Sequence, residues 1–128
     1  MTFHYNKALD VSQLILYCIF IYWLSDRHSL PTPLLFLHQD KLFHAGAYFV
    51  LTAFTLRAFR HVRTSLPVLM ISSFMFASLY GISDEWHQSF VPGRMSDVLD
   101  WVADTVGAVL CLSLYYVVIP LRRRQEMT

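Results

Sequence analysis

The sequence predicts an all-α membrane protein: a bundle of four transmembrane helices with both termini on the cytoplasmic side. Three observations carry that expectation. Hydrophobic residues make up 55% of the 128-residue chain and charged residues only 15%, with a mean hydropathy of +0.43. The apolar residues collect in four runs, at roughly 8–24, 42–58, 66–83 and 98–119. Lys and Arg, finally, are divided unequally between alternate connections.

A soluble domain of this size has to cover its surface with polar groups. Four such runs in so short a chain leave no polar face for water, whereas lipid solvates apolar side chains directly. A spanning helix needs about 17–25 residues, and the first three runs sit at the short end of that range. Helices are required over strands, because backbone exposed to lipid must satisfy its own hydrogen bonds. The runs also lack the alternation of barrel strands. The length suits a single domain over 1–128. Cys18 and Cys111 each lie inside an apolar run, where they read as small buried residues and not as a disulfide or zinc framework. The first run ends without a small-x-small cleavage signature, so it is expected to be retained. The connection over 25–40 holds Pro31, Pro33 and an apolar stretch from Leu34 to Leu37. It is expected to dip into the membrane interface.

Orientation follows from Lys and Arg. Lys7, Arg57, Arg60, Arg63 and Arg122, Arg123 and Arg124 fall on the side of the two termini and the second connection. Arg27, Lys41 and Arg94 fall on the other side. Seven against three predicts both termini inside. The acids show the opposite bias. Asp26, Asp40, Asp84, Glu85, Asp97, Asp100 and Asp104 lie at or near the outer side, and only Asp10 and Glu126 lie inside. The positive-inside rule does not count acids, so their gathering calls for another cause.

Two stripes of small residues mark expected helix contacts. Ser73, Ala77 and Gly81 repeat every four residues in the third run, and Ala103, Gly107 and Cys111 do so in the fourth. Small residues at that spacing let helix backbones approach closely.

The chemistry is expected at the outer ends of the second, third and fourth helices. Asp40 and His44 are four apart and share one helical face. Asp84-Glu85-Trp86-His87-Gln88 leads into Pro92-Gly93, a turn signal that aims Arg94 back at the preceding helix, where pairing with Glu85 or Asp100 is expected. Asp97, Asp100 and Asp104 are spaced three and four apart, with Ser96 as the expected N-cap. Asp104 lies seven residues along from Asp97, about 10 Å deeper at 1.5 Å per residue. A carboxylate at that depth is costly unless it faces the bundle interior or finds a partner. Arg94, Lys41, His44 and His87 are the available partners. Six acids against two obligate cations, Lys41 and Arg94, is the reverse of a plain phosphate pocket. Protonated carboxyls, a bound cation, or a ligand offering hydroxyls, amides or amines would each answer that balance. A divalent metal between the acids and His44 or His87 is the one cofactor considered, with His44, Asp84 and His87 as candidate ligands. The structural alternative is a buried ion-pair network that fixes helix register.

The run Asp40-Lys41-x-x-His44, the stretch Ser83-Asp84-Glu85-Trp86-His87-Gln88-Ser89-Phe90-Val91-Pro92-Gly93-Arg94, and Asp97-x-x-Asp100-x-x-x-Asp104-x-x-Gly107 together resemble the VanZ-like family of small bacterial integral membrane proteins. The resemblance covers about 40–107 and the four-helix layout. It implies a multi-pass protein of the bacterial cytoplasmic (inner) membrane with a role in the cell envelope. The family's namesake is associated with resistance to the glycopeptide teicoplanin. The position of Asp104 is often Asn in that family, which implies that an ionised carboxylate there is dispensable.

The expected function is binding or modification of an envelope-lipid or cell-wall-precursor headgroup in a polar pocket at the outer face. His44, Glu85, Gln88, Arg94 and Asp100 are expected to line it. Asp40, Lys41, Asp84, His87, Asp97 and Asp104 are expected to support them. In an enzyme, Glu85 or His44 would act as general base while Arg94 holds an anionic group. Membrane lipids are the expected surroundings, and no nucleic-acid partner is expected. The alternative is a structural accessory subunit of a larger membrane complex, with a membrane-protein partner. A proton or ion pathway ranks last, because the inner halves of the runs offer little beyond Thr52, Thr55, Ser72 and Ser73.

Overall fold

Four helices account for the regular structure of the described residues: α1 (Lys7–Ser25), α2 (Gln39–Phe59), α3 (Leu66–Gln88) and α4 (Val98–Gln125). The structure, a computed structural model, describes residues 6–28, 33, 35–62 and 65–125, with side chains as far as Val118. All four helices are long and apolar enough to cross a membrane. Residues 29–32 and 34 of the connection expected to dip into the interface lie outside the described residues, as do Arg63 and Glu126.

The helices outrun the apolar runs that predict them. α2 begins at Gln39 instead of 42, and α3 continues to Gln88 instead of 83, a length of 23 residues or about 35 Å. Asp84, Glu85 and Gln88 therefore stand on the last turns of a helix, not in a connection. α4 likewise continues beyond 119. Hydropathy marks the part of a helix that meets lipid, while the backbone ladder continues through polar residues wherever its end groups find partners. Those partners are visible. Asn6 caps α1, its side-chain oxygen accepting from the backbone N–H of Ala8 at 3.0 Å. α3 opens with a proline in its first turn, where a missing N–H costs nothing. α4 is capped by Asp97, whose Oδ1 accepts from Leu99 N at 2.9 Å; the expected cap, Ser96, lies one residue too early.

α2 packs against each of the other helices and most extensively against α4. Gly107 explains the closeness: a Cβ there would run into the backbone carbonyl of Ala45. The expected stripe on α3 is confirmed, with Ser73, Ala77 and Gly81 all buried. On α4, Gly107 and Cys111 are buried while Ala103 is half-buried. The outward faces carry large apolar side chains such as Leu16, Ile71 and Leu110, each more than half exposed, as lipid contact requires. In lipid, packing and buried polar contacts hold helices together in place of the hydrophobic effect. Tyr17 donates to the carbonyl of Ala47, Tyr80 to that of Cys18, and the Trp101 indole to that of Ser78. Thr52 and Thr55, fully buried, donate back to carbonyls four residues earlier on their own helix.

At the end of the bundle where α1 begins, Asp10 is 1% exposed. Its carboxylate accepts from Arg57 Nη2 at 2.6 Å and Arg60 Nη2 at 2.9 Å, and lies 2.8 Å from His61 Nε2. This clamp locks α1 to the end of α2.

Two helix glycines test the packing argument. Gly107→Ala is expected to lower stability by about 1–3 kcal/mol, the range for overpacking a tight contact. At Gly46 an added methyl would meet nothing within 4 Å, so Gly46→Ala is expected to be neutral or to stabilise by up to about 1 kcal/mol through helix propensity. Thermal melting of the two variants in mild detergent checks the contrast.

Candidate functional site

α2 and α4 both start at the end of the bundle where α3 finishes, so the polar residues expected to meet do so. The two parallel helices form a ladder across their shared face. On the outer rung, Lys41 reaches Asp97 Oδ2 at 2.6 Å, Asp100 Oδ1 at 2.5 Å and Asp40 Oδ2 at 3.1 Å. An ammonium has three N–H donors, and each faces one carboxylate. Asp97 lies outside the helices, and the Lys41 ammonium holds its carboxyl below the usual carboxylate range. One turn deeper, His44 Nδ1 stands 2.9 Å from Asp104 Oδ1. On its other side His44 Nε2 stands 3.8 Å from Asp100 Oδ2. Asp104 is 0% exposed. The spacing of three on α2 (Lys41, His44) against four on α4 (Asp100, Asp104) is one turn on each helix, which keeps the rungs level.

α3 closes the ladder from the side. Glu85 is buried, and its Oε2 accepts the backbone N–H of Asp97 at 2.8 Å. This bond ties the end of α3 to the start of α4 and leaves Glu85 Oε1 without a partner. Asp104 Oδ2 is also without one; it points toward Gly81, where a Cβ would stand 2.9 Å from it. The absence of a side chain at residue 81 is what makes room for the buried carboxylate.

A pocket of about 70 Å³ opens between α1, α2 and α3 at this same end, several times the space one water needs. His44, Tyr48, Asp84, Gln88 and Arg94 supply its polar wall together with Ser25 of α1, and Ile21, Leu24, Phe43 and Ala47 supply its apolar wall. Gln88 Nε2 donates to Asp84 Oδ2 at 3.3 Å. Two buried polar atoms of the wall, Tyr48 OH and Arg94 Nε, have no hydrogen-bond partner among the described residues, while the Ser25 hydroxyl lies within reach of the Asp84 carboxylate.

The expected site residues thus divide. His44, Gln88 and Arg94 line the pocket, joined by Asp84. Glu85 and Asp100 lie behind it, in the ladder. The Pro92-Gly93 turn forms with Gly93 at φ +83° and brings Arg94 back over α3, as its sequence suggests. The expected ion pairs of Arg94 with Glu85 and Asp100 do not form, because Asp100 faces α2 and is taken by Lys41. Among the described residues the Arg94 guanidinium has no hydrogen-bond or ion-pair partner. His87 is turned toward α1, with its ring 4.5 Å from that of Tyr22 and Nε2 3.4 Å from Asp26 Oδ1; it is not brought to His44. Sequence reading overlooks Ser25, Tyr48 and Asp10. Tyr48 carried a legible signal, since it lies four residues beyond His44 on the same face.

Because Lys41, not Arg94, neutralises the α4 acids, Lys41→Met is expected to cost about 3–5 kcal/mol, the range for removing one partner of a buried ion pair. A double-mutant cycle of Lys41→Met with Asp100→Asn should show coupling above about 0.5 kcal/mol, while Arg94→Gln with Asp100→Asn should be additive within that margin. Unfolding measurements on the single and double variants in detergent decide between the two pairings.

The family model described as VanZ/LLP1 matches residues 11–119, a span that reaches into all four helices and holds the whole ladder and pocket. No curated protein and no solved structure matches the chain. A match over so much of the chain, joined to four helices able to span a membrane, places this protein in the VanZ/LLP1 family.

Proposed function

We propose that the pocket binds the headgroup of an envelope lipid or lipid-linked cell-wall precursor at the outer face of the bacterial cytoplasmic membrane. One observation carries the reading: Arg94, which feels the Asp84 carboxylate of the same wall but makes no ion pair or hydrogen bond among the described residues, stands in a pocket whose buried Tyr48 OH is also unused. A guanidinium presents a planar fork of donors suited to a phosphate or carboxylate. The hydroxyls, Gln88 and Asp84 suit the hydroxyl and amide groups of a glycerol or sugar. The apolar wall of Ile21, Leu24 and Phe43 suits the first carbons of a lipid tail. Half of the acids whose excess in the sequence argues against an anionic ligand lie outside the pocket, where Lys41 gathers Asp40, Asp97 and Asp100, and Asp84 is the one acid among the described lining residues. Were the bound group also to be modified, the base would be His44, which lines the pocket, in preference to Glu85, which lies behind it.

The placement at the outer face rests on the seven-to-three division of Lys and Arg, with both termini in the cytoplasm. Reporter fusions after Arg63 and Arg124 are expected to read cytoplasmic and a fusion after Arg94 external. An external reading at Arg124 would reverse the protein and put the pocket inside the cell.

Native mass spectrometry of the detergent-purified protein tests the pocket. The wild type is expected to retain an anionic lipid adduct. Arg94→Gln should lose it while the melting temperature stays nearly unchanged, because Arg94 belongs to no internal ion pair among the described residues. Gln88→Ala should lose it too, at some cost in stability, because it removes a hydrogen bond to the buried Asp84 carboxylate. Retention by Arg94→Gln at the wild-type level would reject the reading. A stoichiometric protein in place of the lipid would point to an accessory subunit instead.

A further inference from the structure

The inner rung of the ladder presents a charge problem that the pocket does not solve. Glu85 and Asp104 are both buried, at 6% and 0% exposure. Among the described residues neither has a Lys or Arg within ion-pairing distance, and the three donors of Lys41 face Asp40, Asp97 and Asp100. Each also keeps one oxygen with no hydrogen bond, Glu85 Oε1 and Asp104 Oδ2. Two buried carboxylates in a bundle surrounded by lipid call for compensation of about two positive charges.

We propose that His44, Glu85 and Asp104 bind one divalent transition-metal ion of the zinc class. The donor set is one imidazole and two carboxylates, which suits zinc, manganese or ferrous iron better than the all-oxygen shells of calcium and magnesium. One donor atom from each of the three residues lies within 4.8 Å of the other two. Ligands at about 2.0–2.2 Å from a tetrahedral zinc stand about 3.3–3.6 Å from one another, so His44 Nδ1 and Asp104 Oδ1, at 2.9 Å, need to part by only about half an ångström to become adjacent ligands. The free end of Glu85 has to close in by about an ångström.

The surroundings match what a metal site requires of its outer partners. Glu85 is oriented through its other oxygen, which accepts the Asp97 N–H. His44 Nε2 stands 3.8 Å from Asp100 Oδ2, too far for a hydrogen bond but placed so that, with Nδ1 given over to the metal, an Nε2–H would be aimed at that carboxylate. Asp100 is itself fixed by Lys41. Glu85 thus has a holder on the side away from the ion, and His44 has an acid facing it there. The competing arrangement is a protonated His44 bridging Asp100 and Asp104, with no metal. It would leave Glu85 Oε1 unused and the charge of Glu85 unanswered, whereas a metal between His44, Asp104 and Glu85 answers the charge of both carboxylates.

This proposal rests on reading this end of the bundle as a ligand site, and it deepens that reading: His44 lines the pocket as well, so the ion would sit at the pocket's inner wall and present an open coordination position to a bound anion. The test uses full-length protein in detergent, stripped with a chelator and dialysed against Zn²⁺ or Co²⁺. The wild type is expected to retain one ion per chain. His44→Ala, Glu85→Gln and Asp104→Asn should each weaken retention at least tenfold, and Asp100→Asn by about tenfold as an outer partner. His87→Ala and His61→Ala should leave it unchanged. His44→Cys keeps a zinc ligand and should bind Co²⁺ with a thiolate-to-cobalt absorption band absent from the wild type, which separates lost ligation from lost folding. No retention by the wild type, equal retention in the three ligand variants, or a Co²⁺ spectrum unaltered by His44→Cys would each overturn the site. Lipid adducts are read from the same samples. Lipid without metal would end this inference alone, and metal without lipid would end the headgroup reading alone.

Discussion

Burying charge in a bundle that has lipid on its outside allows one solution, which is that every charge finds its counterpart within the protein or in something the protein holds. Lys41 shows the first half of that rule. It stands on the first turn of α2 and gathers an acid from its own helix, the capping Asp97 and the first acid of α4. The contact fixes how α2 and α4 sit along one another, because a slide of one turn would take Lys41 from Asp100 to a level where His44 already meets Asp104. Gly107 then lets the two backbones touch further down. The depth of His44, the opening for Tyr48 and the position of the pocket all follow from that register.

The opposite end obeys the same rule with the signs exchanged. There one buried carboxylate, Asp10, collects Arg57, Arg60 and His61, whereas at the Lys41 end one ammonium collects three carboxylates. Each end of the bundle is thereby pinned by a single minority charge among several of opposite sign. The difference lies in what is left over. Around Asp10 the surplus is cationic and reaches toward the surface, with Arg57 nearly half exposed. Around Lys41 the surplus is anionic and buried, in Glu85 and Asp104. Surplus charge at a water-facing surface needs no partner, but surplus charge in the interior does.

The fold was legible because its causes are local: run length, apolar content and the spacing of small residues each act within one helix. The meeting of the polar segments was legible too, from topology alone, since two helices that start and one that ends on the same side bring residues 40–44, 84–94 and 97–104 to one level. What could not be read was which charge would take which. The sequence offers Lys41 and Arg94 as equivalent cations beside six acids, and the turn at Pro92-Gly93 makes Arg94 the attractive partner. The choice depends on rotation of α4 about its axis, which aims Asp100 and Asp104 at α2, and no single-helix pattern encodes that rotation. The role of Asp10 was hidden for a related reason: an isolated acid in an apolar run has no pattern, and only the spacing of Arg57, Arg60 and His61 on a neighbouring helix hints at a partner. Helix ends were misplaced where polar residues continue the backbone ladder, as in the last turns of α3.

The division of work between the two cations has a chemical logic that their equal charge conceals. An ammonium is a compact point charge with three divergent donors, and it suits three carboxylates arriving from separate directions. A guanidinium in the place of Lys41 would present a plane, and could meet two of those acids well but not all three. Conversely a guanidinium is the better group to leave waiting in a half-apolar pocket, because it is weakly hydrated and offers two parallel donors to one anion. An ammonium in the place of Arg94 would be more costly to hold without water and less selective for a planar or tetrahedral oxyanion. Lys at 41 and Arg at 94 are therefore what a bundle would carry if one cation were committed to the fold and the other kept for a ligand.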